Sequence, residues 1–476
     1  MILHVCRSEL SRLLRGRVAQ IAFGLTLALA LVSALGSVSQ HREQAAFQAR
    51  VQAKADQDFV EQPARHPHRV VHFGHFAARN ASPLAAFDPG VETYTGNLVY
   101  LEGHRQNSAN FGDARQSSIL VRFGAMSPAF LLQTIAPLLL IFLGAGMIAG
   151  ERERGLLRQS LAAGATPGAI LAGKSLALGA VALGVAMPGL LLFAILGRGV
   201  DGGLLALGFA GYAAYLLFWV ALVVAVSALA RRTRTALIVL VAAWAVMALL
   251  SPRAGAEVAA SQPLTGRFET DIALQRDLRA MGDSHDPNDP YFAKFKAETL
   301  ARYRVSRVED LPVNYRGLLG VEGERMTSSL FNRYAAESFG VMAAQSARMD
   351  QLALISPTVA LRRLSASVAG VDLAAYRRFL DQAEAYRYAL IQKLNGLQAT
   401  AINAADDAAK SSDAAAEARS RIAADNWKQM PMFRYEPTPS GEARSRAWPA
   451  LLALLAWLGL SLALLRVAGG RLARRL

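Results

Sequence analysis

The chain has one cysteine, no charge inside its long apolar runs, and none of the short motifs that mark a catalytic centre. Each absence excludes something. Cys6 has no intramolecular partner, so no disulfide framework holds any part of the 476 residues. No H-E-x-x-H, G-x-S-x-G or C-x-x-C pattern occurs, so catalysis has no visible seat. Charged residues are only 18% of the chain against 53% hydrophobic. That is too apolar for an ordinary soluble domain, and the chain is too long for one compact core. A membrane protein is the first expectation.

About 20 apolar residues are needed to cross a bilayer as a helix. Six segments qualify: 18–38, 130–149, 175–197, 203–230, 235–251 and 447–465. The fourth is long enough to tilt and the fifth is short. None contains Asp, Glu, Lys, Arg or His, whereas transporters driven by protons or ions keep ionisable groups at membrane depth. Energy for any work is therefore expected from a partner. Arg7, Arg12, Arg15 and Arg17 precede the first run, as in a signal peptide. At about 20 residues that run exceeds the roughly 7–15 of a signal core, and Ser37-Val38-Ser39 is a weak cleavage site, so a retained helix is expected.

Charge sets the orientation. With the N-terminus inside, the cytoplasmic pieces are 1–17, 150–174, 231–234 and 466–476, with 15 Lys and Arg against 3 acids. The whole chain is +15, so the basic character follows mostly from positive-inside topology, and nucleic-acid binding loses its compositional support. The outside loops are near neutral: 39–129 carries 9 bases and 8 acids, and 252–446 carries 26 and 24.

Five regions follow: a cytoplasmic N-terminus with the first span (1–38), an extracytoplasmic loop domain (39–129), four spans with a cytoplasmic segment (130–251), a large extracytoplasmic domain (252–446), and a last span with a basic cytoplasmic tail (447–476). The first loop domain has turn clusters such as Ser82-Pro83 and Asp88-Pro89-Gly90 and is expected to be small and irregular. Ser127-Pro128 is a helix-start signal before the second span. The larger domain opens at Ser251-Pro252 and has a Pro- and Asp-rich patch at 283–289. Beyond it Met326, Leu330, Tyr334 and Val341 fit one helix face, and Leu373, Tyr376, Leu380, Leu390, Leu394 and Leu397 another. An Ala-rich run, 399–424, reads as a continuing exposed helix. The stretch 358–369, TVALRRLSASVA, is amphipathic; packing within the external domain is preferred to lying on the membrane surface. The fold class is an all-α membrane protein with six transmembrane helices, a small irregular and a large mainly helical extracytoplasmic region.

The segment 150–174, GERERGLLRQSLAAGATPGAILAGK, lies between spans two and three on the cytoplasmic side. Glu151, Arg152, Glu153, Arg154 and Arg158 give a short charged helix with an opposite-sign i,i+3 pair, Glu151–Arg154, and a solvent-facing side. Gly164 to Gly168 breaks it. The segment is either a solvated hairpin or a docking element that passes a push from a soluble protein to the spans it joins. Its end, Gly168 through Gly173-Lys174-Ser175, fits the phosphate-loop pattern G-x-x-x-x-G-K-[ST]. No strand precedes it, its variable positions are apolar helix formers, and Ser175 opens a span, so nucleotide binding is not expected.

His66, His68, His72 and His75, with His104 further on, form a histidine-rich tract that could hold zinc or copper. Spacings of 2, 4 and 3 suit no single helix face and no acid lies within the cluster, so hydrogen bonding between loops is preferred and metal binding is the weaker reading. Gly146 and Gly150 make a small-x-x-x-small pair on span two, Gly179, Gly184 and Gly189 thin span three, and Pro137 and Pro188 are possible kinks. Routine packing is favoured for any one of these; together they are compatible with a dimer interface or a moving pathway.

The motif Glu151-Arg152-Glu153-Arg154-Gly155-Leu156-Leu157, the small-residue turn 164–168 and Gly173-Lys174, in that order after the second of six spans, resemble the permease subunit of ABC-2 type ABC exporters. His66-Pro67-His68, Phe87 to Gly90 and Glu102 to Asn107 resemble a subgroup with large external insertions after spans one and five. The resemblance implies a non-catalytic permease of the bacterial inner membrane, with both termini cytoplasmic. It implies that Glu151 to Arg158 dock a separate ATPase subunit that uses ATP and Mg, this chain binding no cofactor, and that a second permease copy or a related permease completes the assembly. A periplasmic protein is a further expected partner if the chain works by mechanotransmission without transport. Metal handling by the histidines is the third reading. The substrate is not legible.

Overall fold

The structure is a computed structural model and describes residues 1–80, 82–107, 126–260, 264–283, 286 and 288–474. Part of the first loop domain (108–125), part of the Asp-rich patch and the last two tail residues lie outside the described residues. Among the described residues, six helices are long and apolar enough to cross a membrane. The first belongs to α2 (Arg17–Val60), which follows an N-terminal helix α1 (Ile2–Arg15) across an extended Gly16. The others are α4 (Pro128–Glu153), α6 (Pro167–Leu196), α7 (Gly202–Leu229), α8 (Thr233–Val258) and α14 (Ser440–Arg474). Between them lie α3 (Pro67–Val71) after α2, and α5 (Leu156–Ala162) after α4. The long excursion before α14 carries α9 (Arg267–Met281), α10 (Pro290–Tyr303), α11 (Tyr315–Gln351), α12 (Pro357–Ala369) and α13 (Leu373–Ala401).

Local chemistry explains the starts. Ser127, Thr166, Asp201, Asp289 and Ser356 each accept a backbone N–H of the first turn that follows, and all but Asp201 precede a proline at the first helical position. Prolines within spans leave carbonyls without a helical donor, and side chains from neighbours supply one, as a lipid environment requires. Pro137 follows a π-helical stretch at Leu131–Ile135, and the carbonyl of Gln133 accepts from the Tyr215 hydroxyl while that of Thr134 accepts from Trp244 Nε1 at 2.9 Å. Ser251-Pro252 does not end the helix that holds the fifth span. A π-helical stretch at Ala245–Leu250 absorbs the proline and the helix runs on to Val258.

The insertions after the first and fifth spans pack together as one head. α2 continues as helix to Val60 where an irregular loop was expected after residue 38. A two-stranded antiparallel sheet, β1 (His75–Ala78) and β2 (Leu98–Leu101), pairs His75 with Leu101. Phe59, Val70 and Val71 from the first insertion share a core with Ile391, Leu394, Ile422 and Trp427 from the second, and Trp427 Nε1 donates to the carbonyl of Gln62 at 3.1 Å. The Ala-rich run is not one exposed helix. α13 stops at Ala401, and Asn403 and Asp413 cap new short helices, because Asn and Asp side chains compete for backbone donors. Asp407 within this run and Trp427 just after it are fully buried.

α12 also departs from expectation. It packs against the membrane helices: Ser365 Oγ lies 2.9 Å from the Tyr212 hydroxyl and Thr358 Oγ1 2.9 Å from that of Tyr215, both on α7. Ala353 just before it accepts from Trp457 Nε1 of α14 at 3.0 Å. Gln133 joins this polar knot through Tyr212, 3.2 Å, and Asp88 of the first insertion, 3.4 Å. Head and membrane bundle therefore interlock.

Candidate functional site

The end of the bundle away from the head gathers α1, the α4–α6 connection, the α7–α8 turn and the end of α14. The connection is two short helical pieces rather than one. The first turn, Ala149–Glu153, ends at Gly155, which takes φ +78°, and α5 ends before Gly164, at φ +90°. Only glycine adopts this left-handed region at no cost.

The root of the charged motif, Glu151 and Arg152, is half-buried, while Glu153, Arg154 and Arg158 are exposed. Lys174 is 2% exposed, and its ammonium donates to Glu151 Oε1 at 2.7 Å, to Glu9 Oε2 at 2.7 Å and to the carbonyl of Met147 at 2.9 Å. Glu151 thus turns to Lys174 instead of pairing with Arg154. Arg152 donates to the carbonyls of Ala228 and Ala230, closing the C-terminal end of α7. Glu153 accepts from Thr233 Oγ1 at 2.7 Å at the start of α8. Arg154 turns back to the carbonyl of Gly150, 3.0 Å, and Leu157 is buried. Outward-facing are Glu153 and Arg154 and, on α5, Leu156 at 42% exposure with Arg158, Gln159 and Ser160.

The glycines serve the same joint. A Cβ at Gly146 or Gly150 would meet Thr233 at 3.2 Å, and one at Gly173 would sit 2.6 Å from Val5 Cβ of α1. Pro137 is buried within α4. Gly173-Lys174 therefore lets α1 approach and then ties it through Glu9. The phosphate-loop pattern lies within the unbroken helix α6. Glu9 and α1 were missed by sequence reasoning; the available signal was that Glu9 is the one acid among residues 1–17.

The histidines divide. His66 caps α3, its Nδ1 accepting from the amide of His68 at 3.1 Å, and its Nε2 contacts Asp407 Oδ1 at 2.9 Å. His75 Nε2 lies 3.2 Å from Asp56. Burial would raise the Asp407 carboxyl, but hydrogen bonds from His66, Lys410, Gln398 and Asn314 hold it well below the usual carboxylate range. His68 on α3 and His72, its C-cap, stand i to i+4, while His66 and His75 point elsewhere, so the four do not share one helix face.

Residues 101–260, from β2 through the α4–α6 connection to the end of α8, match the model of the ABC-2 family transporter proteins. Over those residues the chain is similar to ABC-2 family transporter proteins. This similarity and the six long apolar helices fit a multi-pass membrane protein. Residues 267–436 match a domain of unknown function, which is the second insertion and so most of the head. No curated protein matches the chain.

Proposed function

We propose that this protein is the permease subunit of an ABC exporter in a bacterial inner membrane, with both termini cytoplasmic and the head outside. Two copies, or one copy and a related permease, would pair with two ATPase subunits in which ATP and Mg²⁺ act. The observation that carries the reading is the joint around Lys174. A rigid turn exposes Leu156 and Arg158 while its root is tied to α1, α6, α7 and α8 at once. A push on α5 would therefore reach four helices together.

The same anchoring separates two kinds of variant. Charge reversal at Glu151 and Glu153 is expected to abolish coupling by breaking the joint. Leu156→Asp with Arg158→Glu is expected to abolish coupling by removing the contact, with membrane insertion and thermal stability unchanged. The check is ATPase stimulation by the reconstituted permease; normal stimulation by the Leu156→Asp, Arg158→Glu variant would place docking elsewhere.

Mechanotransmission to a periplasmic partner is the second reading. It is favoured by α2, which runs unbroken for 44 residues, about 66 Å at helical rise, from the bundle into the head. A measured outward flux of any substrate through proteoliposomes would favour export over it.

A further inference from the structure

Three histidines meet at the edge of the head. The Nε2 atoms of His68, on α3, and His72, at its C-cap, lie 3.3 Å from each other. His104 comes from the tight turn after β2, where it adopts φ +62°. That turn is pinned to α3: the amide of Gly103 donates to the carbonyl of Val71 at 3.2 Å, in a contact so close that a Cβ at 103 would fall 2.4 Å from Val71 Cγ1. The His104 ring centroid is 5.3 Å from that of His72 and 6.1 Å from that of His68. One potential ligand atom from each of the three lies within 4.8 Å of the others.

We propose that His68, His72 and His104 form a three-imidazole site for a divalent cation of the zinc or copper type, with further coordination positions open on the solvent side. The 3.3 Å separation of two Nε2 atoms equals the edge of a tetrahedron built on metal–nitrogen bonds of about 2.0–2.1 Å, roughly 3.3 Å. A hydrogen bond between the two rings would explain that distance alone, but not the third ring brought in by a strained turn. His104 also has the support that metal-bound imidazoles carry. Its Nδ1 is 3.3 Å and its amide 3.2 Å from Glu324 Oε2, and Glu324 is itself fixed by Arg387 at 2.6 Å. Nε2 is then the atom His104 has for a ligand.

The other two histidines of the tract are engaged by Asp407 and Asp56, so the site is the trio and not the tract. Burial, and then the neighbouring imidazoles, push His68 down to about 4 and lower His72, which keeps both rings neutral and their lone pairs available near pH 7. A nitrogen-only donor set suits Zn²⁺ or Cu²⁺ and not Ca²⁺ or Mg²⁺.

The test uses the full chain, purified through an affinity tag without histidines, freed of metal by a chelator and titrated separately with Zn²⁺ and Cu²⁺. One ion per chain is expected. The double variant His68→Ala, His72→Ala should lose at least 100-fold in affinity, Glu324→Gln about 10–100-fold, and His41→Ala nothing, all with unchanged helical content. Co²⁺ should give the visible absorption of a four-coordinate nitrogen site. Substoichiometric binding by the native chain, or stoichiometric binding that survives in the double variant, would overturn the proposal.

Discussion

Lys174 holds three parts of the chain with one ammonium group, and its removal leaves Glu151 without this buried cation and Glu9 with Arg12 alone. Breaking a buried pair typically costs about 3–5 kcal/mol. Lys174→Met is expected to destabilise the protein by an amount of that order in denaturant unfolding, and adding Glu9→Gln should recover part of it. A loss below about 1 kcal/mol would mean that water reaches the pair. In the head, the Asp407 carboxyl is depressed in the folded state. Its contribution is thus present at neutral pH, above the ordinary carboxylate value of about 3.9, and is lost as pH falls below that value. Asp407→Asn should lower the melting temperature at pH 7 and flatten the acid limb of stability against pH. An acid limb of unchanged steepness would assign that loss to other carboxylates.

The elements differ in how openly the sequence declares them. The six spans, the caps before Pro128, Pro167 and Pro357, and the position of the 150–174 connection follow from apolar runs and short-range hydrogen-bonding chemistry, which act within a few residues. Partners at long separation do not: nothing local tells Lys174 that its counter-ion is Glu9, or α12 that its apolar face meets Tyr212 and Tyr215 on α7. For the same reason the motif's acids read as solvent-facing when Glu151 is in fact drawn inward. Gly155 tests the joint as an element. A side chain at φ +78° costs about 1–2 kcal/mol, so Gly155→Ala should weaken ATPase coupling without affecting metal binding in the head. Equal coupling by the variant would show that the angle between the two short helices is not used.

At the scale of the molecule, the two insertions stand or fall together. Trp427 is fully buried between them, and Trp427→Ala should cost about 3–5 kcal/mol. It should expose both residues 60–107 and residues 400–436 to limited proteolysis in one transition. Cleavage confined to the second region would contradict a single head. The charge count gives an expected orientation for the chain, but composition is silent on tertiary contacts such as the one between Trp427 and Gln62.

The most direct measurement follows from the lone cysteine. In a Cys6→Ser background, a thiol-reactive photocrosslinker placed at Arg158→Cys in native membranes should attach to a nucleotide-binding ATPase subunit, with a yield that changes on adding ATP. The same reagent at Glu309→Cys in the head should not. An ATPase adduct from position 309, or none from 158 in membranes where the transporter is active, would contradict docking at α5.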